Sequence, residues 1–265
     1  MVLGKDVRLN RILNKGKMLC VPMDHGISTG PLDGIKNVNK FIYDNEGSGL
    51  TCFLLNKGII KILPRPLKIG LIAHMSASTS HGPDPNKKVI LGSVKEAIRL
   101  GADAVSLHIN IGSQDEAAML YALGQIADEC NEWSVPLIAM MYPRGENIKN
   151  PNDPSIISHA SRIGAEAGAD IVKTVYTGDI DTFKDVVKSC PVPVVIAGGP
   201  KSKTNSDVLE MCQGAIQAGA IGVTFGRNIF QHSNPKKIIN ALYEIIIGNR
   251  NYDEVLENFE RKQKE

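Results

Sequence analysis

The sequence predicts a single-domain (β/α)8 barrel, the TIM-barrel fold of the α/β class. A repeated phrase is the first of two observations that lead to this prediction. It occurs in LGADAVSLHI (100–109), AGADIVKTVY (167–176) and AGAIGVTFGR (218–227), and a weaker copy starts at Glu46. In each copy a glycine follows a helix-like segment, which it can end in the left-handed C-cap conformation, and an apolar run comes next. Each copy therefore indicates a short connection from a helix into a strand.

The second observation is a series of eight runs that are apolar almost without interruption, as is typical of parallel strands covered on both faces. They are MLCVPM (18–23), LTCFLL (50–55), KIGLIA (68–73), AVSLHI (104–109), PLIAMM (136–141), IVKTVY (171–176), PVVIAG (193–198) and GVTFGR (222–227). Amphipathic, helix-like stretches separate most of them, for example 114–132, 152–167, 204–218 and 235–247. Only the segment between the second and third runs is too short for a normal helix. This alternation within one domain predicts a closed barrel.

An open, doubly wound sheet is the alternative architecture. No GxGxxG motif follows the first run, which disfavours a dinucleotide-binding fold. Asp153 and Thr204 precede two of the helix-like stretches and are predicted to be N-caps. The predicted domain covers 1–265, with a helical extension at 1–17 and a charged helix or tail at 252–265.

The composition argues against several classes of protein. The chain has 265 residues, a net charge of +2 and 43% hydrophobic residues, so neither nucleic acid nor an anionic membrane is expected as a partner. No apolar run reaches the roughly 18–20 residues of a membrane span, and the N-terminus lacks the apolar core of a signal peptide. The five scattered cysteines form no CxxC pair and are expected to be buried, reduced thiols. We therefore expect a cytoplasmic protein.

Polar residues and glycines lie at the end of nearly every predicted strand. In a barrel the carboxyl ends of the strands surround the active site. In strand order these residues are Asp24 and His25, Asn56 and Lys57, His74, His108 and Asn110, Tyr142 and Arg144, Lys173, Gly198 and Gly199, and Gly226 and Arg227. Because the strand bodies are apolar, this convergence predicts one site at the barrel mouth.

Lys173 is unusual because it lies inside the apolar run IVKTVY. On a strand it shares one face with Ile171 and Val175. If that face is the barrel interior, an unpaired ammonium group is costly there, which favours the neutral amine. A neutral amine is a nucleophile that can form a Schiff base with a carbonyl group. The structural alternative is a lysine that is paired with an acid or directed between strand and helix.

Schiff-base chemistry also requires proton transfers, and two of the strand ends carry suitable groups. The carboxylate of Asp24 suits a base, and the phenol of Tyr142 suits an acid. Asp24 could instead be an N-cap or turn residue, and Tyr142 a rim aromatic before a proline. The glycines at 198–199 and 226 would let backbone N–H groups approach a phosphate, to which Arg227 could add a bidentate contact.

No cofactor is predicted. His74, His81 and His108 could in principle bind a divalent metal for a metal-dependent aldolase. They show no helical HxxxH or other tight spacing, and a metal would make the strand lysine redundant. His25 is expected to contact the substrate or a catalytic group, and His159 to be structural or exposed.

Five motifs, in order, resemble those of the DeoC/FbaB class I aldolases: PMDHGISTGP, MMYPRG, GADIVKTVYTGD, VIAGGPK and GRNIFQ. The resemblance covers nearly the whole chain and is greatest to the archaeal 2-amino-3,7-dideoxy-D-threo-hept-6-ulosonate (ADH) synthases. It implies a Schiff-base lysine at Lys173, a proton donor at Tyr142 and a proton acceptor at Asp24. The substrate contacts that it implies are Asp24, His25, Gly26, Ile27, Ser28, Tyr142, Pro143, Arg144, Lys173, Gly198, Gly199, Gly226 and Arg227.

The resemblance also implies a transaldol reaction that needs no metal, because the iminium group accepts the electrons. Lys173 would attack the ketone of 6-deoxy-5-ketofructose 1-phosphate, release hydroxypyruvaldehyde phosphate and transfer the remaining enamine to L-aspartate semialdehyde. It further implies a homo-oligomer, with a decamer as one form. The chain departs from the family pattern at Phe225 and in the segment MSASTSHGPDP. The substrate shape and a lid role for residues 76–88 therefore stay open.

Two alternative functions also stay open. A class I fructose-bisphosphate aldolase, or a 6-deoxy-5-ketofructose 1-phosphate synthase, would use the same lysine, tyrosine, aspartate and phosphate loops. The contexts VSLHINIGS and MMYPRG favour the ADH synthases over the sugar aldolases. A non-catalytic barrel that binds a sugar phosphate would also account for the polar strand ends.

Overall fold

A computed structural model describes residues 3–261, so positions 1–2 of the predicted extension and 262–265 of the predicted tail lie outside the described residues. The strands are β1 (Met18–Pro22), β2 (Cys52–Asn56), β3 (Gly70–His74), β4 (Ser76–Ala77), β5 (Val89–Ile90), β6 (Ala104–Ile111), β7 (Leu137–Pro143), β8 (Ile171–Val175), β9 (Val194–Ala197) and β10 (Gly222–Thr224). The helices are α1 (Leu3–Ile12), α2 (His25–Thr29), α3 (Val38–Asn45), α4 (Lys57–Lys61), α5 (Val94–Arg99), α6 (Glu116–Glu132), α7 (Pro154–Glu166), α8 (Ile180–Ser189), α9 (Asn205–Gln217), α10 (Arg227–Phe230), α11 (Pro235–Ile246) and α12 (Tyr252–Arg261).

Eight parallel strands of residues 3–261 close into a barrel, in the order β1, β10, β9, β8, β7, β6, β3, β2 around the ring. Each of the predicted apolar runs overlaps one of these strands, which confirms the TIM-barrel prediction. The ring closes between β1 and β10, where Met18 pairs with Gly222. The short strands β4 and β5 pair with each other in an antiparallel hairpin, separate from the barrel sheet.

The predicted helices form as well. α6, α7, α9 and α11 match the amphipathic stretches to within two residues at each end. Asp153 caps α7, since its Oδ1 accepts a hydrogen bond from the backbone N–H of Ser155 at 2.9 Å. Thr204 forms a capping box with Asp207 at the start of α9. Both predicted N-caps are thus confirmed, and the short connection between β2 and β3 holds only the five-residue helix α4.

The helix α1 closes the bottom of the barrel. Ile12, at its end, is fully buried against the side chains that fill the barrel interior. Lys5 forms an ion pair with Asp170 at 2.9 Å, and Arg11 forms one with Asp103 at 2.8 Å. Each carboxylate also accepts a backbone N–H from the start of a barrel strand, Asp170 from β7 and Asp103 from β3. The opposite end, where the strands finish, is therefore the open mouth.

Apolar side chains occupy both faces of the strands. One cluster fills the barrel interior and includes Cys20, Cys52 and Ile138, and a larger one lies between the strands and the helices. The cysteines are all free and buried, as expected. Among the described helices, none combines the length and the apolar character needed to cross a membrane.

Gly222 provides a test of the barrel closure. A Cβ atom at this position would lie 1.8 Å from the carbonyl oxygen of Met18 on the neighbouring strand. Gly222→Ala is therefore expected to lower the free energy of unfolding by about 3 kcal/mol or more, measured by urea denaturation. Gly124→Ala is the control, because a Cβ there meets nothing within 4 Å and alanine favours a helix by about 1 kcal/mol. Unchanged stability of Gly222→Ala would contradict the proposed strand contact.

Candidate active site

The barrel mouth contains a cavity of about 220 Å³ that is lined by most of the residues predicted from the strand ends. These are Asp24, His25, His108, Tyr142, Arg144, Lys173, Gly198, Gly199, Gly226 and Arg227, and Ser28, a substrate contact implied by the family resemblance, lines it as well. A second hollow of about 520 Å³ adjoins it and is lined by Pro143 as well as by Tyr142 and Arg144. Gly26 and Ile27 lie on α2 with exposed surfaces and line neither space. A larger groove of about 850 Å³ lies between α11 and α12, but none of the predicted residues lines it.

Lys173 projects from β8 into the barrel interior and is only 4% exposed. It pairs with Met140 of β7 and Val195 of β9, both of which are buried apolar residues. Within residues 3–261, no carboxylate forms an ion pair with its Nζ. The carboxylate of Asp24, which lies at the same mouth, contacts the imidazole rings of His25 and His74 instead of Lys173. The predicted inward orientation of Lys173 is confirmed, so an amine is held in a largely apolar environment that opens into the mouth.

Asp24 supplies a carboxylate to the same mouth. It precedes α2, but its side chain caps no backbone N–H of that helix. Its oxygens lie 3.6 Å from Nδ1 of His25 and 3.8 Å from Nε2 of His74. Burial alone would raise the pKa of the Asp24 carboxyl, but the charges of His74, His25 and Lys173 outweigh it and lower the pKa from 3.8 to about 2. Asp24 is therefore ionised at neutral pH.

His74 is held against Asp24 by a neighbouring strand. Its Nδ1 lies 2.8 Å from Oγ of Ser106 on β6, which fixes the orientation of the ring. Burial lowers the pKa of His74 and outweighs the attraction of Asp24, which raises it. The lowered pKa favours the neutral imidazole. His81, by contrast, is exposed between β4 and β5. Over residues 3–261, no three His, Cys, Asp or Glu side chains gather into a metal-ligand set.

Tyr142 lies near the end of β7, and its ring is close to two other side chains. The His108 ring centroid is 4.8 Å from that of Tyr142, and the Arg144 guanidinium carbon is 4.7 Å from the Tyr142 centroid. Nε2 of His108 lies 2.8 Å from Oδ1 of Asn110. Asn110 uses its amide nitrogen to donate to the carbonyl of Asn86 at 2.7 Å, so its Oδ1 is free to accept from His108. The phenol ring is thereby held at the rim by contacts with His108 and Arg144.

Two of the glycines that follow β9 and β10 lie where a side chain would not fit. A Cβ on Gly226 would be 2.6 Å from Cε1 of His25, and one on Gly198 would be 2.8 Å from Cδ1 of Phe225. Gly199 has a φ of +63°, in the left-handed region that favours glycine. Phe225, the departure noted in the sequence, is fully buried against Gly198 and does not line the cavity. We call the backbone of 198–199 and 226–227 the glycine cradle.

The guanidinium group of Arg227, beside the glycine cradle, has a nitrogen without a hydrogen-bond partner among the described residues. This nitrogen, Nε, is buried. Burial, and then the positive charge of Arg144, lower the pKa of Arg227. A buried donor without a partner is costly, so a bound anion at this position would satisfy it.

Two polar residues at the mouth were missed by the sequence analysis. Asn228, 4% exposed, donates through Nδ2 to the carbonyl of Gly198 at 2.9 Å and accepts from the backbone N–H of Ser202 at 2.8 Å. It therefore joins both halves of the glycine cradle. Lys88, from the β4–β5 hairpin, lines the cavity. Asn228 could have been noticed as a polar residue within the apolar stretch after Arg227, whereas Lys88 lay in a segment without a periodic pattern.

The model of the DeoC/LacD family aldolases matches residues 18–232. The chain belongs to this aldolase family. It is 43% identical over 258 residues to 2-amino-3,7-dideoxy-D-threo-hept-6-ulosonate synthase 1 of Archaeoglobus fulgidus, covering 97% of this chain and 96% of that protein.

Two further relatives bear on the chemistry of the family. The 2-amino-4,5-dihydroxy-6-oxo-7-(phosphonooxy)heptanoate synthase of Streptomyces griseus is 37% identical over 247 residues, covering 92% of this chain and 90% of that protein. A structure of an archaeal fructose-1,6-bisphosphate aldolase, with its catalytic lysine bound covalently to a carbinolamine intermediate, has a TM-score of 0.85 and 33% identity, covering 91% of this chain and 99% of that chain. The aldolase family member described here is thus a class I, Schiff-base enzyme rather than a non-catalytic binding barrel.

The bridge formed by Asn228 provides a test of how the cradle is held. Asn228→Ala would leave the Gly198 carbonyl and the Ser202 N–H without their buried partner, so the free energy of unfolding should fall by about 1–3 kcal/mol. Hydrogen–deuterium exchange of segment 198–203 should become faster. Asn240→Ala, on the exposed face of α11, is the control and should change neither quantity. Wild-type exchange of 198–203 in Asn228→Ala would refute the bridging role.

The partly buried imidazole of His108 predicts a pH dependence of stability. Burial and the charges of Lys88 and Arg144 hold the pKa of His108 well below its ordinary value of 6.5. Below pH 6.5 the unfolded chain therefore binds more protons than the folded one, and stability is lost as the pH falls from 7 to 5. His108→Gln should reduce this loss by up to about 1.4 kcal/mol per pH unit.

Urea unfolding at pH 7 and pH 5 measures this effect. His159→Gln is the matched control, because His159 is exposed on α7. The prediction is wrong if His108→Gln and His159→Gln keep the same pH dependence as the wild-type protein.

Proposed function

We propose that this enzyme is an ADH synthase. It would transfer a three-carbon unit from 6-deoxy-5-ketofructose 1-phosphate to L-aspartate semialdehyde, yielding 2-amino-3,7-dideoxy-D-threo-hept-6-ulosonate and releasing hydroxypyruvaldehyde phosphate. The observation that carries this choice is the 43% identity, over nearly the whole of both chains, to the A. fulgidus protein of that name. The product would serve the archaeal formation of 3-dehydroquinate and aromatic amino acids.

In this proposal Lys173 is the nucleophile. The lone pair of its Nζ attacks the donor ketone and forms a carbinolamine, which loses water to give an iminium. The bond between the α and β carbons of the iminium then breaks, its electron pair forms the enamine, and the phosphorylated aldehyde leaves. The burial of Lys173, and the absence of a carboxylate paired with it in the described part of the chain, support this role because they leave its Nζ available to a carbonyl group that enters the mouth.

Asp24 and Tyr142 are proposed to move the protons. As an ionised carboxylate, Asp24 can take the proton of the hydroxyl group whose carbon becomes the departing aldehyde. Tyr142 can donate its proton to the carbinolamine hydroxyl, which leaves as water. In the second half of the reaction the enamine attacks the carbon of the incoming aldehyde, whose oxygen gains a proton. Hydrolysis of the resulting iminium then frees the product and restores Lys173.

The donor phosphate is proposed to bind in the glycine cradle. Backbone N–H groups can approach an anion closely where no Cβ intervenes, as at Gly198 and Gly226. The unpartnered Nε of Arg227 would complete this contact. His25, Ser28, Pro143 and Arg144 are proposed to contact the rest of the substrate, together with the backbone of Gly26 and Ile27.

A fructose-bisphosphate aldolase is the second candidate. The structural match at a TM-score of 0.85 and 33% identity to an archaeal enzyme of this type favours it. That reaction, and the related synthesis of 6-deoxy-5-ketofructose 1-phosphate, would use the same lysine, carboxylate and phosphate cradle. The family resemblance further supports a cytoplasmic homo-oligomer that needs no cofactor and does not bind nucleic acid.

A two-substrate assay tests the proposal. The purified enzyme should form the seven-carbon product from 6-deoxy-5-ketofructose 1-phosphate plus L-aspartate semialdehyde, and it should cleave fructose 1,6-bisphosphate far more slowly. Lys173→Met should abolish the synthase reaction and the borohydride-trapped adduct with the donor. Fast cleavage of fructose 1,6-bisphosphate without any seven-carbon product would favour the second candidate.

A further inference from the structure

Lys88 is a basic residue at the mouth that has no role in the reaction proposed above. It lies just before β5, in the hairpin that follows β3, and its side chain lines the same cavity as Lys173 and Asp24. Lys87, the preceding residue, is directed outward, where its Nζ forms an ion pair with Asp115 at 2.9 Å and its side chain is 54% exposed. The two adjacent lysines therefore face different surroundings.

The hairpin is fixed over the mouth rather than attached only at its ends. The buried Asn110 of β6 donates to the carbonyl of Asn86 at 2.7 Å. The backbone N–H of Ser80 donates to the carbonyl of Ser28 at 2.9 Å, which ties the hairpin to α2. These contacts lie on both sides of the hairpin, so the backbone next to Lys88 is held in place.

The charge of Lys88 is not balanced by a carboxylate. Its Nζ donates to Oγ of Ser78 and, at 2.9 Å, to the carbonyl of Pro85, which uses two of its three protons. Across residues 3–261, neither Lys88 nor Arg144 forms an ion pair with an acidic side chain within 4.0 Å. Burial, and then the charge of Arg144, lower the pKa of Lys88. Two neighbouring cations that face a cavity would be stabilised by an anion between them.

Lys88 lies across the mouth from the glycine cradle. In the ring of eight strands, β3 is four strands from β9 in either direction, so the loops that follow these strands lie on opposite sides of the mouth. Gly198 and Gly199 follow β9, and the hairpin follows β3. Lys173 and Tyr142, on β8 and β7, lie on the wall between them. Positive charge thus lies on both sides of the mouth, with Arg144, which follows β7, near both Lys88 and Arg227. A substrate complex can place one anion on each side.

We propose that Lys88, together with Arg144, binds the carboxylate of the incoming acceptor aldehyde. This inference rests on the proposed function, in which the donor carries one phosphate and the acceptor one carboxylate. The cradle with Arg227 accounts for the phosphate, and the region opposite it is left for the carboxylate. The competing arrangement is that the carboxylate enters the cradle after the phosphorylated aldehyde has left. Lys88 would then make no contact with the acceptor.

Substitution of Lys88 separates these arrangements. Lys88→Met should raise the KM for L-aspartate semialdehyde by about tenfold or more, because a charge-assisted hydrogen bond is lost. The KM for the donor, and the borohydride-trapped donor adduct on Lys173, should stay at wild-type levels, which also shows that the variant is folded. Lys88→Arg should restore most of the affinity. Lys87→Met, which removes the neighbouring outward lysine, should leave every constant unchanged.

A matched pair of acceptors isolates the carboxylate. Succinic semialdehyde keeps the carboxylate and lacks the amino group, whereas butanal has the same chain length without charge. Lys88→Met should weaken the reaction with the first aldehyde and leave that with butanal unchanged. An equal loss with butanal, a rise in the donor KM instead of the acceptor KM, or no change at all would overturn the inference. A wild-type enzyme that forms no product from L-aspartate semialdehyde would refute the proposed function itself, and the two failures are thereby distinguished.

Discussion

The burial of one basic side chain inside the barrel is the constraint on which the rest of the structure depends. Lys173 projects from β8 into an interior filled by apolar side chains and is almost completely removed from solvent. Such a group is tolerated only if it is neutral or if charges nearby compensate it. Because α1 closes the lower end of the barrel through Ile12, the polar groups around Lys173 lie toward the mouth. Asp24 lines the same cavity there without pairing with Lys173, and its lowered pKa is in part the effect of the Lys173 charge.

The remaining charges at the mouth follow the same logic. His74 is buried and His108 partly buried, and their pKa values are lowered, so they contribute hydrogen-bonding groups rather than charge at neutral pH. Lys88, Arg144 and Arg227 remain as cations around a cavity whose lining contains a single acid. A partly enclosed cavity with an excess of positive charge attracts phosphate and carboxylate groups. The excess of positive charge on both sides of the barrel mouth therefore favours the binding of anionic substrates.

Buried amide side chains hold the loop and the hairpin of the mouth in place. Asn228 links the loop after β9 to the helix after β10, and Asn110 links the hairpin after β3 to β6. Each uses its donor and its acceptor at once, so neither side chain can be shortened without leaving buried groups unpaired. The loops that would contact substrate are therefore positioned by the body of the barrel. This arrangement lowers the entropy cost of ordering them when substrate binds.

The sequence by itself determined the barrel, the order of its strands and helices, the caps at Asp153 and Thr204, and the gathering of Asp24, Tyr142 and Lys173 at one mouth. Hydrophobic periodicity and capping residues are local signals, and a closed parallel barrel brings every strand end to the same face whatever the details of packing. Only the tertiary structure decided that His74 lies against Asp24 with Ser106 behind it, that Asn228 joins the two parts of the glycine cradle, and that Lys88 enters the cavity. The hydrogen bonds that hold His74, Asn228 and the hairpin of Lys88 join positions 24 to 32 apart in the chain. They depend on strand register and on the path of a loop without periodicity, which no local pattern encodes.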